Sequence, residues 1–327
     1  MSILILLIVL ALIFNFLNGF HDSSNIVATI IFSRAMQPRT ALVLTAVAEF
    51  FGPLIFGVAV AKTIGEGLIR PEEVTNAVIL AALFASILWN LITWFLGIPS
   101  SSSHALVGGL IGAIAVGAGV GAVQWNGLIK VLLGLFISPV LGLIAGFLIT
   151  RLTLLLARNA RPSINWFFKR SQIVTGVALA LSHGANDAQK TMGIITLGLV
   201  VNGSIPKFEI PLWVILISST AMGLGTGTGG WRLIRTLGGR FFKIRPMHGF
   251  TAQLASAGVI LGAALLGGPV STTQVVSSAI MGVGSAERVS KVRWNVAVNI
   301  AIAWLLTIPA TAVVSALLYL LLRVWIR

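Results

Sequence analysis

The 327-residue chain is 57% hydrophobic and 9% charged, with a formal net charge of +14 and no cysteine. Soluble domains carry about 25% charged residues, so the composition excludes one, and the missing cysteines exclude disulfides, thiolate catalysis and Cys-based metal centres. The basic residues fall in short loops and form no single face for nucleic acid. Apolar segments long enough to cross a bilayer are predicted at roughly 3–33, 40–61, 74–97, 103–120, 126–150, 173–200, 211–230, 248–266, 268–284 and 294–322. The pattern predicts an all-α polytopic membrane protein with about ten to twelve membrane segments. Residues 1–18 have no basic region before them, the first basic residue being Arg34. They read as part of the first membrane segment, not as a signal peptide.

Loops 34–39, 151–172, 231–247 and 285–293 are basic, whereas 62–73 sets Lys62 and Arg70 against Glu66, Glu72 and Glu73. The positive-inside bias places the basic loops in the cytoplasm and both termini outside. Each half then holds five segments, and an odd number inverts the second copy. The expected organisation is a first transmembrane repeat at 1–150, a basic cytoplasmic linker at 151–172 and a second, inverted repeat at 173–327.

Within the first segment, Asn15, Asn18, Asp22, Asn25 and Thr29 are spaced 3, 4, 3 and 4 apart, which puts them on one helical stripe. A carboxylate at the bilayer centre costs roughly 2.5–3.5 kcal/mol, so Asp22 needs partners and marks a functional site. Glu49 lies in the middle of the next segment as a candidate proton carrier, with a protonated interhelical bond as the alternative. Pro99-Ser100-Ser101-Ser102-Ser103-His104 follows. In the second half, Ser182-His183-Gly184-Ala185-Asn186-Asp187-Ala188-Gln189-Lys190 is followed by Pro269-Val270-Ser271-Thr272-Thr273-Gln274. The offsets between matching features are 165 residues for the aspartates, 170 for the prolines, and 169 for Trp125 and Trp294. A near-constant period across most of each half indicates an internal duplication.

Carboxylate and amide oxygens suit a hard cation such as Na⁺, and a buried carboxylate alternatively carries a proton. Hydroxyls ahead of a helix N-terminus make an oxyanion site without a permanent charge. Irregular backbone is tolerated at membrane depth only where protein or a wet cavity surrounds it. Broken helices or re-entrant hairpins are therefore expected at both aspartates and both hydroxyl runs. The bland alternatives are an interhelical polar clamp for the asparagines and a solvated serine loop. Gly108/Gly112, Gly142/Gly146 and Gly258/Gly262 are expected to serve helix packing. His104 is a second candidate proton carrier, with a neutral hairpin-tip histidine as the alternative.

Together these four motifs resemble the paired signatures of the PiT inorganic phosphate transporters, over nearly the whole chain. The resemblance implies a prokaryotic plasma-membrane symporter that imports inorganic phosphate by alternating access, often as a homodimer. It implies phosphate binding by Ser101, Ser102, Ser103, Ser271, Thr272 and Thr273 with Asn25, Asn186 and Lys190. Asp22, Asp187, Asn25 and Gln274 would serve the coupling cation, with Na⁺ at Asp22 and Asp187 as the only metal and no other cofactor. Sodium-coupled members commonly carry Asn-Asp-Val-Ala-Asn, so the Gln189-Lys190 variant favours H⁺ over Na⁺. Lys190 either acts as a fixed cation or merely pairs with Asp187, three residues before it. A sulfate transporter of the same fold and an anion channel are the alternatives. An enzyme is not expected, since the hydroxyls form symmetric runs without a lone activated nucleophile.

Overall fold

The computed structural model describes residues 2–68, 73–239 and 244–325. Arg70, Glu72, Arg240 and Lys243 of the charged loops lie outside the described residues. These residues form helices α1 (Ser2–Phe32), α2 (Pro38–Phe56), α3 (Ala59–Gly65), α4 (Asn76–Leu96), α5 (Ser102–Gly117) and α6 (Trp125–Leu156) in the first half. The second half holds α7 (Ile164–Val201), α8 (Leu212–Thr228), α9 (Trp231–Gly239), α10 (Pro246–Leu265), α11 (Thr272–Glu287) and α12 (Trp294–Leu322). A 3₁₀ turn precedes the last helix of each half, at Val120–Ala122 and Val289–Lys291. No strand occurs among the described residues. Among the described residues, six helices are long and apolar enough to cross a membrane: α1, α2, α4, α6, α10 and α12. The chain is a multi-pass membrane protein.

Polarity runs inside out. Asp22, Asp187, Lys190, Asn186 and Gln189 are buried, while Leu133, Val140, Leu148, Leu305, Val313 and Leu317 on α6 and α12 are exposed. Such a large apolar outer surface is a lipid-facing one.

Two long helices form the axis. Helix α1 has 31 residues and α7 has 38, about 46 and 57 Å at 1.5 Å per residue. Both run unbroken past their aspartates, contrary to the sequence expectation. The reason is local. Ser23 and Ser24 donate back to the carbonyls of Phe20 and His21, at 2.9 and 3.2 Å. Asp22 and Asn25 find partners on other helices, so no backbone bond has to open. The breaks fall instead at Gly57–Val58 and Gly229–Gly230. Gly57 and Gly229 have φ of 81° and 73°, a region open to glycine at little cost. Helix α3 then restarts with orphan N–H groups, and Gln189 Oε1 accepts from Val60 N and Ala61 N at 2.8 and 3.1 Å. At the matching break, Gly230 N donates to Ser23 Oγ at 2.8 Å. The basic segment 231–247, read from sequence as loop, contains helix α9 for this reason.

The hydroxyl runs do form hairpins. Helices α5 and α11 have 16 residues each, about 24 Å, too short for a hydrocarbon core of about 30 Å. The open end of the α4–α5 hairpin lies with the end of α7, where Asn76 and Asn202 exchange bonds of 3.0 and 2.8 Å. Gln124, beyond α5, donates to Leu68 O and Glu66 O at the same end, both at 3.0 Å. The α10–α11 hairpin opens at the other end, where Gln172 accepts from Ser33 at 2.8 Å and donates to Pro246 O at 3.0 Å. His248 and Glu287 close the base of that hairpin at 2.9 Å. The two hairpins thus enter from opposite ends and meet at Asp22 and Asp187.

Close packing at two of the glycine pairs holds the outer helices on. A Cβ at Gly112 would sit 2.0 Å from Ala312 O on α12, and one at Gly146 would sit 2.4 Å from Ala279 O on α11. Gly258 and Gly262 do otherwise: nothing lies within 4 Å of a Cβ at either. They line an open apolar groove of about 410 Å³ between α6 and α10. Helix ends occupy most of the linker 151–172, since α6 runs to Leu156 and α7 starts at Ile164.

Candidate functional site

Each hairpin turns on a glycine and restarts on a serine. Gly97 and Gly267 have φ of 69° and 68° and cap the first legs in the left-handed conformation. Ser101 and Ser271 are the N-caps of α5 and α11, accepting from His104 N and Gln274 N at 3.2 and 3.4 Å. The next residues, Ser102, Ser103, Thr272 and Thr273, begin the helices with free N–H groups beside their hydroxyls. The tips touch, with Ser103 Oγ donating to Val270 O at 3.1 Å.

Both aspartates lie at this junction. Thr272 Oγ1 donates to Asp187 Oδ2 at 2.7 Å and lies 3.5 Å from Asp22 Oδ2, while Thr273 Oγ1 donates to Asp22 Oδ1 at 2.9 Å. Asn25 Nδ2 donates to Thr273 Oγ1 at 3.0 Å. Lys190 Nζ bonds Asp187 Oδ1 and Ser103 Oγ, and reaches Val270 O at 3.1 Å. Asn186 fixes the second tip, donating to Gly268 O at 3.1 Å and accepting from Val270 N at 3.3 Å. Asn18 accepts from Ser102 at 2.6 Å. Asp22, Asp187, Lys190, Asn25 and the four helix-starting hydroxyls are at most 3% exposed. The site is closed from both ends.

Glu49 joins through a residue that the sequence reading left out of the site. His183 Nδ1 lies 2.7 Å from Glu49 Oε1, and Nε2 lies 3.3 Å from Asp187 Oδ2 and 3.8 Å from Asp22 Oδ2. Thr226 donates to the other Glu49 oxygen. Asp22, His183 and Asp187 offer ligand atoms within 4.8 Å of one another, close enough to hold a metal ion. Tight packing of α2 on α7 makes the Glu49 contact: a Cβ at Gly184 would sit 2.2 Å from Glu49 O. The available signal was spacing, since His183 precedes Asp187 by one helical turn.

Two sequence candidates stand apart. His104 Nδ1 bonds Ser101 Oγ at 2.8 Å and its ring meets Phe136 edge-on, with centroids 5.7 Å apart. Gln274 Nε2 faces His104 at 3.5 Å. No hydrogen bond joins either to Asp22 or Asp187 among the described residues.

The sequence model described as the phosphate transporter family matches residues 18–315, a span that holds all four motifs. The chain belongs to the phosphate transporter family. It is 45% identical over 323 residues to a probable low-affinity inorganic phosphate transporter of Bacillus subtilis, covering 98% of this chain and 97% of that one. A Rhizobium meliloti protein of the same description is 44% identical, over 97% of this chain and 96% of that one. A solved structure described as the sodium-dependent phosphate transporter superposes with a TM-score of 0.90 and 28% identity, covering both chains fully. Membership of the phosphate transporter family makes this protein a transporter, not an enzyme, and places the paired hairpins in a transport fold.

Proposed function

We propose that the protein imports inorganic phosphate across a prokaryotic plasma membrane by cation-coupled symport with alternating access, its two halves being inverted repeats. The carrying observation is the meeting of two hydroxyl-led helix N-termini over a pair of buried aspartates. Two such termini and the hydroxyls of Ser101, Ser102, Ser103, Ser271, Thr272 and Thr273 suit a tetrahedral oxyanion, with Asn25, Asn186 and Lys190 around it. Charge supports the coupling. Among the described buried residues, the three carboxylates of Asp22, Glu49 and Asp187 outnumber the single ammonium, Lys190, and the imidazoles of His21 and His183 lie against them. An anion entering that excess of negative charge requires cations to come with it.

A proton is the favoured coupling ion, supported by the run of titratable groups from Glu49 through His183 to both aspartates. Sodium is the second reading, supported by the oxygen ligands around Asp22 and by the description of the solved relative. Radiolabelled phosphate uptake into proteoliposomes decides between them, with an imposed H⁺ gradient, an imposed Na⁺ gradient, or neither. Accumulation driven by one gradient alone names the ion. Flux that equilibrates without ever accumulating is the channel result and overturns symport, and accumulation of sulfate in place of phosphate moves the substrate.

A further inference from the structure

The two aspartate sites are built alike but charged differently. Around Asp187 the ammonium of Lys190 bonds both the carboxylate and the Ser103 hydroxyl from the opposite hairpin. Around Asp22 the matching positions hold Thr273 and Asn25, with the hydroxyl as the link: Thr273 donates to the carboxylate and accepts from Asn25, and His21 Nδ1 lies 2.9 Å from the same carboxylate oxygen. Lys190 and Asn25 each stand three residues after their aspartate. The Lys190 ammonium is thus ringed by a carboxylate oxygen, a hydroxyl oxygen and the Val270 carbonyl oxygen, the ligand set of a hard monovalent cation. In the twin site, Asn25 Oδ1 is buried with no hydrogen-bond partner and Asn25 is 1% exposed. An unpaired buried acceptor beside a carboxylate marks a position where positive charge is wanted.

Resting on the symport reading, we propose that Lys190 is a tethered cation standing where an exchangeable monovalent cation would otherwise bind. The second half therefore carries its positive charge in the chain, and only the Asp22 half loads and releases a cation there. Each phosphate moves with one fewer monovalent cation than two open sites would take. Lys190 accordingly sets the charge moved per turnover, as a specificity-determining residue for the coupling ion.

The test is Lys190→Asn, which gives the second aspartate site the residue of the first. In proteoliposomes clamped with potassium and valinomycin, the reversal potential of phosphate flux reports the charge moved per phosphate. The expected result is a rise of one elementary charge per phosphate over the unsubstituted protein. Transport at an unchanged ratio overturns the proposal. For a folded variant that no longer transports, cations bound to the purified protein are counted instead, Na⁺ as ²²Na⁺ and protons by titration: one additional monovalent cation per chain supports it, and an unchanged count of both overturns it. A variant that unfolds and is not restored by high Na⁺ also overturns it, because a replaceable cation would refill the site. Failure of the symport reading shows separately, as absence of phosphate accumulation by the unsubstituted protein.

Discussion

At Asp187 and Asp22 the same substitution has two different consequences. Asp187→Asn leaves the Lys190 ammonium buried without its carboxylate, and breaking one side of a buried pair costs about 3–5 kcal/mol. Asp22→Asn keeps an oxygen for Thr273 and the His21 ring, which both bond Oδ1 at 2.9 Å, and losing the charge-assisted part of each bond costs about 1 kcal/mol. Both variants are expected to abolish phosphate uptake, while thermal unfolding of purified protein shows the larger drop for Asp187→Asn. Equal destabilisation with uptake retained would mean that the aspartates serve packing alone. His183 shows why the sequence understated this site. Its spacing from Asp187 was visible, but its contact with Glu49 depends on how α2 packs on α7, and residue order does not record that packing.

Among the elements, α3 and α9 clasp the hairpin tips in the same way. Thr63 on α3 donates to Gly267 O at 2.7 Å, and Thr236 on α9 donates to Gly97 O at 3.1 Å. Each bond holds the glycine at which the opposite half's hairpin turns. Thr63→Val and Thr236→Val remove one bond each, at about 1 kcal/mol. Each is expected to speed hydrogen–deuterium exchange at the tip it clasped, 267–271 or 97–101, and to leave the other tip unchanged. The α2–α7 crossing gives a second check. Gly184→Ala drives a methyl into the Glu49 carbonyl, and overpacking of this kind costs about 1–3 kcal/mol. A lowered melting temperature together with reduced uptake is the expected outcome. Unchanged values for both would show that this close approach is dispensable.

Across the whole molecule, sidedness is open to a direct check because the chain has no native cysteine. Single cysteines at Ser2 and Ser204 are expected to react with a membrane-impermeant maleimide in intact cells, and one at Asn159 only after permeabilisation. The reverse labelling pattern would invert the proposed orientation while leaving the fold intact. In the alternating-access cycle proposed above, a site closed at both ends lies between the two open states. Opening either end has to separate a hairpin from its clasp, so the tips and the short helices α3 and α9 are where motion is expected.

The sequence by itself determined the membrane class, the internal period and the four motifs, because hydropathy and residue spacing are properties of the chain alone. It also marked both hydroxyl runs as irregular, either broken helices or re-entrant hairpins, since a proline-led polar run inside apolar sequence has few other ways to satisfy its backbone. Where the helices break was decided by tertiary structure. The polar stripe of α1 suggested a break at Asp22, yet those side chains are satisfied by the opposite half, and the chain opens at Gly57 and Gly229, where Gln189 and Ser23 supply the missing partners. Tertiary packing likewise brought His183 and Glu49 together beside the aspartates, set the His104 ring against Phe136, and left Gly258 and Gly262 facing an open groove. In each case a residue's type and spacing were legible, but its partner lay more than a hundred residues away or on a face that only packing assigns.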